Sequence, residues 1–527
     1  MKKYRLLISM LMAFTLVFSS LAPIWADTVK GNVIVDSQFA DPMSLVPGWG
    51  TDQSTSDLGG FLYAPLLGND EKLNLYPLVA ESYSVSKDLL SYTVKLRKGW
   101  KWHDGVEVTA EDVKFTYDTI LNPDANAMRR PDVLDSKLKS VEVKDKYTVV
   151  FHLSSKNIWF EYALNDNYWL PKHILGNVPV RDIQKHDYFQ KPIGNGPFKF
   201  VEYTHGERIV FEPYKDYPAQ FKPKTPSDRY IYQIVPSQAT ALLKVQKGEA
   251  NFTFCSAADI PATKKFSNLT VKDFPDASIM YISFNQRRPF FSDKRVRQAI
   301  AHAINKDALS KGVYKGYYVP AASYYPSLHW FHNPNVKTYD YSLSKAKQLL
   351  DEAGWKVGKD GIREKDGVKF KFTLLALKGN VGREKTCVFI QSSLRQLGIS
   401  VEVRSLEWNT MNTKYIDAKN YDAAYIALGQ SFIPLPGSSF GKDGVFNSGS
   451  YYNAEVEKLI NIVNEANSKQ EAKDAMFRMQ EIVQEELPVL TLLYPSNTYA
   501  MDKRLRDVNL IYGNYFEPAE WHVNANY

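Results

Sequence analysis

The sequence predicts a mixed α/β protein, and three observations support this class. Stretches with strand and helix patterns alternate along the 527-residue chain. Ser91 to Arg97 alternates apolar and polar side chains, as a half-buried strand does. The apolar residues between Val296 and Ile304 recur at the spacing of one helical face. No segment repeats at a fixed short period.

The first half of the chain shows several element boundaries. Gly31 to Asp36 reads as a first strand that runs into a polar loop, and Tyr147 to Leu153 as a later one. Thr109 is placed to cap a helix, with Asp112 three residues on to complete a capping box. Lys191 to Phe198 is a turn cluster by composition.

The second half is richer in helix patterns. Asp293 to Lys311 is the clearest helix. The other helices are predicted from Ser342 or Ser344 to a stop at Gly354, from Val381 to Leu397 before Gly398, and as a pair within Asn453 to Glu486 before Pro488.

The amino terminus has the order of a secretory signal. Basic Lys2, Lys3 and Arg5 precede the uncharged run from Leu6 to Leu21, and a small residue at Ala26 offers a cleavage point. We therefore expect residues 1–26 to be removed; a membrane anchor is the competing interpretation. No cysteine directly follows the apolar run, so lipid anchoring is not expected, and the protein should be periplasmic or secreted.

Composition narrows the function classes. The net charge of +7 comes from scattered basic residues without a long Lys/Arg block, which gives a nucleic-acid role little support. The length suggests roughly two to four folding units. Cys255 and Cys387 are far apart and are expected to be buried free thiols. Aromatic residues make up 13% of the chain and suit both a core and a pocket for ligands of varied shape.

Four stretches in order resemble one family, the peptide, oligopeptide and nickel solute-binding proteins called solute-binding family five. They span almost the whole chain after the signal: Tyr76 to Tyr83 with Leu96 to Phe115, Gly194 to Phe198, Asp293 to Ile304, and Ala346 to Trp355.

The resemblance implies a two-lobed periplasmic-binding-protein clamp (type II, cluster C like) with an extra inserted domain. Domain I would comprise residues 27–70, 192–285 and 493–527, the inserted domain II 71–191, and domain III 286–492, with hinges near 285 and 493. It also implies a monomeric receptor without cofactor that captures peptides and delivers them to the permease and ATPase subunits of an ABC importer.

The resemblance also places ligand-binding residues. Trp408, within Glu407-Trp408-Asn409, matches a tryptophan that lines the pocket, and Tyr494 matches a tyrosine near the returning hinge. An aromatic wall is typical of solute pockets. A core tryptophan and ordinary strand packing are the respective alternatives.

The segment Gly429, Gln430, Ser431 and Phe432 carries the main departure from the family. Peptide-binding members usually have an aspartate for the ligand's α-ammonium where this chain has Ser431. Blocked peptides, an oligosaccharide or another neutral solute, and a nickel chelate therefore stay open as ligands. A shifted alignment would bring Asp422 or Asp443 to this place instead.

Signals for catalysis or an intrinsic metal are weak, so no enzyme activity is expected; a secreted hydrolase is the alternative. Gly437 to Gly441 fits G-x-S-x-G but lacks the preceding strand and following helix of a nucleophile elbow. His103-Asp104 reads as a solvated turn. His329 and His332 form a possible metal pair, but metal sites need three or four ligands.

Overall fold

The structure is a computed structural model. It describes residues 33–38, 41–50, 52–70, 74–166, 168–221, 227–274, 276–506, 508, 510–511, 515–516 and 522–523. The predicted signal peptide, residues 1–26, lies outside the described residues.

The strands are given first, in chain order. They are β1 (Val33–Gln38), β2 (Leu67–Asn69), β3 (Leu75–Pro77), β4 (Ala80–Val85), β5 (Ser91–Leu96), β6 (Leu138–Asp145), β7 (Thr148–Leu153), β8 (Phe198–Thr204), β9 (Arg208–Pro213), β10 (Arg229–Ile234), β11 (Phe252–Phe254), β12 (Leu269–Phe274), β13 (Ile279–Phe284), β14 (Val319–Pro320), β15 (Lys356–Val357), β16 (Arg363–Lys365), β17 (Val368–Lys369), β18 (Lys371–Leu377), β19 (Ser400–Leu406), β20 (Ala423–Leu428), β21 (Val489–Tyr494), β22 (Asn497–Asp502), β23 (Leu505–Arg506), β24 (Leu510–Ile511), β25 (Tyr515–Phe516) and β26 (His522–Val523).

The α-helices follow in the same way. They are α1 (Gln53–Leu62), α2 (Ala110–Leu121), α3 (Arg130–Asp135), α4 (Phe160–Ala163), α5 (Lys172–Leu175), α6 (Gln238–Lys247), α7 (Ile260–Thr263), α8 (Lys294–Ala303), α9 (Lys306–Tyr314), α10 (Leu343–Glu352), α11 (Val381–Arg395), α12 (Trp408–Met411), α13 (Pro436–Phe440), α14 (Ala454–Glu465) and α15 (Lys469–Glu486). Within the described part of the chain, no helix combines the length and apolar character that a bilayer crossing needs.

Two sheets share the first core. The seven-stranded sheet has the order β12-β22-β11-β1-β10-β9-β8, and the four-stranded antiparallel sheet the order β4-β5-β7-β6. One hydrophobic cluster holds both, because it contains Phe61 and Phe211 beside the first sheet and Tyr92 and Phe151 of the second. We call these two sheets and their helices lobe 1.

A six-stranded sheet, in the order β14-β21-β13-β20-β18-β19, organises the second body, which we call lobe 2. All residues of its strand β13 are buried. Because successive side chains of a strand point to opposite sides, both faces of β13 are covered. Ile282 and Phe284 pack in the cluster beside α8, α10 and α11, whereas Ile279 and Tyr281 pack in the cluster beside α14 and α15.

The chain passes twice between the two large sheets. β12 of lobe 1 ends at Phe274 and β13 of lobe 2 begins at Ile279; β21 of lobe 2 ends at Tyr494 and β22 of lobe 1 begins at Asn497. The first crossing precedes the limit suggested near residue 285, because β13 pairs with β20 and β21. The predicted two-lobed α/β fold is confirmed, while the exact domain limits stay a prediction.

Two of the stretches that carry the family resemblance meet in lobe 1. The carbonyl oxygen of Leu62 accepts hydrogen bonds from Asn195 N (2.9 Å) and Gly196 N (2.8 Å). A Cβ at Gly194 would lie 1.8 Å from that same oxygen, so only glycine permits this approach. The Trp100 indole donates to Asn195 O over 3.0 Å. The turn cluster therefore fastens α1 to the Trp100 segment.

The helix predicted from Asp293 to Lys311 is wrong as a single element. It is two helices, α8 and α9, separated at Ile304, which is buried and extended. Asn305 causes the break, because its side chain accepts a hydrogen bond from Ala308 N (2.9 Å) and caps α9. The capping pattern thus overrides a continuous apolar face.

Other boundaries are confirmed. Asp112 and Thr109 form the predicted capping box at α2. Ser342 caps α10, and Gly354 and Gly398 have positive φ of +88° and +78° just after their helices. Cys255 and Cys387 are buried and free, as predicted. Burial raises the pKa of the Cys387 thiol, in α11, to about 12.

Candidate functional site

The carboxyl ends of parallel strands from both large sheets meet where the chain crosses. In lobe 1, β1 is parallel to β10 and β11, and β12 runs the same way because both β11 and β12 are antiparallel to β22. In lobe 2, β18, β19, β20 and β21 share one direction. Ligands of open α/β sheets bind outside the carboxyl ends of the strands. The space between these two edges, called the cleft below, is therefore the candidate site.

The register of lobe 2 brings the six predicted binding residues to this one edge. Trp408 follows the end of β19, and Gly429 follows the end of β20 with Gln430, Ser431 and Phe432 after it. Tyr494 is the last residue of β21. Residues that are far apart in sequence thus gather at the cleft.

Trp408 projects from the lobe 2 edge. It starts the short helix α12, and its side chain is 48% exposed. A core position, the alternative considered from the sequence, is thus wrong. An indole with half its surface in water at a strand end is suited to cover an apolar part of a ligand.

Tyr494 contributes a ring more than a hydroxyl. Its hydroxyl donates to Ser323 O (2.8 Å) and accepts from Ser323 N (3.1 Å). Those two bonds tie the end of β21 to the chain after β14. The half-buried ring remains as the surface that Tyr494 can offer to a ligand.

The segment from Gly429 to Phe432, called the binding loop below, is held from beneath by a histidine. His329 Nε2 lies 3.1 Å from Ser431 O and Nδ1 lies 3.2 Å from Pro326 O, so the proton on Nε2 is the one that serves the loop; the ring also stacks on Phe432 with 5.6 Å between centroids. Burial lowers the pKa of His329 to about 4, so the ring is neutral near pH 7. Gly429 is exposed and lies beside Ser278 of the first crossing.

Neither alternative aspartate stands at the binding loop. Asp422 precedes β20 and so lies at the opposite edge of the sheet, where it pairs with Arg288 (2.9 Å) and accepts from Thr373 N (3.0 Å). Asp443 is exposed in the loop after α13. The side chain at the predicted ammonium position is the exposed Ser431.

The residues weighed for metal binding or catalysis have structural partners. His332 Nδ1 donates to Tyr325 O (2.7 Å), and the described residues contain no cluster of three possible metal ligands. Ser439 of the G-x-S-x-G segment bonds to the Tyr324 hydroxyl (3.0 Å) and lies in the short helix α13. His103 uses both ring nitrogens on the backbone of the turn at 194–196.

The family model for bacterial extracellular solute-binding proteins, family 5 middle, matches residues 74–450. The chain belongs to this family.

Similar proteins extend the match over nearly the whole chain. The oligopeptide-binding protein AppA of Bacillus subtilis is 35% identical over 491 residues, which are 90% of this chain and 88% of AppA. The structure of that AppA in complex with a nonapeptide superposes with a TM-score of 0.79 at 33% identity, covering 93% of this chain and 98% of AppA. NikZ of Campylobacter jejuni, solved with Ni(L-His), gives 0.79 at 25% identity, with 93% and 99% covered.

This family 5 protein has further cleft residues that the sequence analysis missed. Ser37 Oγ near the end of β1, Gln238 Oε1 at the start of α6 and Arg383 Nε are buried, and none of the three atoms has a hydrogen-bond partner among the described residues. Arg383 stands in the first turn of α11, which follows the end of β18. The described residues contain eleven buried polar atoms of this kind, and these three are the ones that lie at facing strand ends, where a polar ligand would satisfy them.

Weak sequence signals for these residues exist. Ser37 follows the predicted strand from Gly31 to Asp36, and Arg383 comes three positions after Asn380, which caps α11 by accepting from Arg383 N (3.0 Å). Such positions at carboxyl ends are where site residues concentrate in this fold class. Which of them lacks a protein partner depends on tertiary packing.

Proposed function

We propose that this protein captures peptides between its two lobes and delivers them to the membrane permease of an ABC importer. The observation that carries the proposal is the set of three unpartnered buried polar atoms at the facing strand ends, on Ser37, Gln238 and Arg383. A peptide backbone offers alternating donors and acceptors that would satisfy them without reading side-chain identity. The 35% identity to AppA of Bacillus subtilis supports a peptide as the ligand.

The proposed binding residues divide by chemistry. Trp408, Tyr494 and Phe432 provide apolar surface, while Gln430 and Ser431, with the backbone of Gly429, provide neutral hydrogen-bonding groups. On the opposite wall, Ser37 and Gln238 provide an oxygen each. The lobes would close on the ligand by bending at the two crossings, which include residues 276–278 and 495–496.

Arg383 gives the proposed site its charge preference. Its guanidinium lies in the first turn of a 15-residue helix whose N-terminal amide groups also favour an anion. A peptide's terminal carboxylate is the group that fits this position, because an arginine fork and a carboxylate match in geometry. The amino end meets no acid at Ser431, so the site would tolerate a blocked amino terminus.

The cellular setting follows from the same proposal. The chain would be exported, lose residues 1–26, act as a monomer outside the cytoplasmic membrane, and dock on permease subunits driven by an ATPase. It would bind its cargo without altering it. Domain II would be 71–191, and the proposed limits of domain I at 285 and 493 and of domain III at 286 and 492 shift to the two crossings, because β13 and β21 pair within the sheet of lobe 2.

Native mass spectrometry of the purified protein tests the proposal, followed by denaturation and identification of what is released. Heterogeneous short peptides are the expected cargo. A protein that carries none and shows no heat of binding with synthetic nonapeptides would contradict the proposal. Incubation with peptide and glycan panels checks the absence of turnover; reproducible hydrolysis would favour a secreted hydrolase.

A second cargo class has one observation in its favour. The binding loop carries Ser431 and no acid, and Trp408 with Gln430 forms a neutral, aromatic surface that suits an oligosaccharide or another uncharged solute. A nickel chelate belongs to the same group of alternatives, since NikZ of Campylobacter jejuni was solved with Ni(L-His). A sugar or metal-chelate mass in the released material would select this class and keep the fold and transport role.

A further inference from the structure

The segment His329-Trp330-Phe331 lies between the binding loop and lobe 1. Its histidine holds Ser431 and Phe432, as described above. Phe331 is buried and contacts both neighbours, with ring centroids 5.0 Å from His329 and 5.3 Å from Trp330. The rings of His329, Phe331 and Trp330 therefore form one packed row.

Trp330 contacts a residue of the other lobe. The ring centroid of Trp159 lies 5.6 Å from that of Trp330, and Trp159 is only 4% exposed. The next residue, Phe160, starts α4 and packs against Tyr92 of the four-stranded sheet (4.8 Å). Trp159 nevertheless belongs to the hydrophobic cluster of lobe 2. A lobe 1 side chain is thus inserted into lobe 2.

Polar contacts surround the inserted ring. Lys156 Nζ donates to Asn467 Oδ1 over 3.0 Å. Lys469 Nζ lies 3.7 Å from Glu161 Oε1 and 5.5 Å from the centre of the Tyr162 ring. Lys469 is the first residue of α15, directly after the cap residue Ser468. These contacts join side chains of lobe 1 to side chains of lobe 2.

We propose that Trp159 and Trp330 form an interlobe latch that holds the clamp closed, with its lobe 2 half built on the same rings that support the binding loop. This inference rests on the proposed capture of a ligand between the lobes. Opening would expose both indoles to water, and closing would bury them, so the latch slows release of the cargo. Because Phe331 and His329 join the latch to the binding loop, ordering of that loop by a ligand favours docking of Trp159.

Dissociation kinetics test the latch with a synthetic nonapeptide that has free termini. Trp330→Ala should accelerate dissociation roughly tenfold, the cost of losing a buried aromatic pair, while association changes less. Trp330→Phe should recover most of the loss. Lys469→Ala should give a smaller acceleration, and Lys473→Ala none, because Lys473 lies one turn further along α15 over the Phe477 ring of its own helix. Unchanged dissociation in Trp330→Ala overturns the latch.

A ligand-free measurement separates the latch from the proposed cargo. Lys156→Cys and Asn467→Cys place one thiol on each lobe, and both native cysteines are buried. A short bis-maleimide should cross-link the pair several-fold faster with Trp330 present than with Trp330→Ala. Equal rates, or no cross-link at all, overturn the latch. A fast cross-link that depends on Trp330, in a protein that binds no peptide, would contradict the peptide proposal and support the latch.

Discussion

His329 Nε2 lies 3.1 Å from the carbonyl oxygen of Ser431, and the neutral ring that carries its proton on Nε2 donates to this oxygen and fixes the binding loop to the body of lobe 2. We expect His329→Phe to weaken peptide binding several-fold, because the new ring keeps the stack on Phe432 but leaves Ser431 O without its donor. Loss of one buried donor costs about 1 kcal/mol. Isothermal titration calorimetry measures the affinity and thermal unfolding the stability.

His332→Phe is the matched control for this prediction. His332 lies in the same segment and donates to Tyr325 O (2.7 Å), away from the loop. It should lose stability and retain affinity. Equal losses of affinity in both variants would contradict a specific role of His329.

Gln430→Leu should raise the stability of the ligand-free protein and lower its affinity for peptide about tenfold. The Nε2 atom of Gln430 is buried and faces the Tyr324 hydroxyl without a hydrogen bond of ordinary length, so removing this amide relieves a desolvation cost. The ligand would lose a donor by the same change. Urea unfolding and calorimetry measure the two effects.

Gln480→Leu provides the comparison. The Gln480 amide is buried and satisfied, since it donates to Phe331 O (2.7 Å) and accepts from Asn333 N (3.1 Å). This variant should lose about 1 to 3 kcal/mol of stability through the orphaned backbone groups. If Gln430→Leu loses the same amount of stability, the interpretation that the Gln430 amide binds the ligand is contradicted.

Arg383→Ala should remove the preference for a free terminal carboxylate. The wild type is expected to bind a free-acid nonapeptide more tightly than its carboxamide, because a charge-assisted bond to the guanidinium is worth about 1.5 to 3 kcal/mol. In the variant the two peptides should bind equally. A preference that survives the substitution places the carboxylate elsewhere in the cleft.

The sequence predicts the fold correctly where the local pattern agrees with the packing of the whole molecule. Thr109 and Asp112 form their capping box, and Gly354 and Gly398 end helices where their freedom at positive φ is needed. The sequence pattern and the structure differ at Asn305, whose side chain caps α9 and so divides the predicted helix, although the apolar face continues on both sides of it. An amphipathic pattern reports which face is buried, and it does not report whether the backbone is continuous.

Only part of the candidate site could be predicted from the sequence. Trp408 and the binding loop came from resemblance at strand ends, and the parallel register brings them together. Arg383 and Ser37 carried no comparable pattern, because a missing hydrogen-bond partner is a property of the assembled molecule. The role of His329 was missed for a similar reason, since its partner Ser431 is distant in sequence.

Asp36 should make stability fall as pH rises between about 4 and 7. Burial in lobe 1 raises its pKa to about 7, against hydrogen bonds from Tyr230 (2.8 Å) and Gln38 (2.8 Å) that lower it. A carboxyl with a raised folded pKa contributes its full stability below the unfolded value near 3.9 and loses it as pH rises through the folded value. The loss amounts to roughly 4 kcal/mol across that window.

Asp36→Asn removes this titration, so the difference in unfolding free energy between wild type and variant isolates it from other groups. In urea unfolding, the stability of the wild type relative to Asp36→Asn should fall as the pH rises from 4.5 to 7. His103 and His329, whose pKa values burial lowers to about 4, change stability in the opposite direction below pH 6.5 but do so in both proteins. A pH-independent difference would mean that Asp36 stays ionised in the folded protein and that Tyr230 and Gln38 compensate its burial.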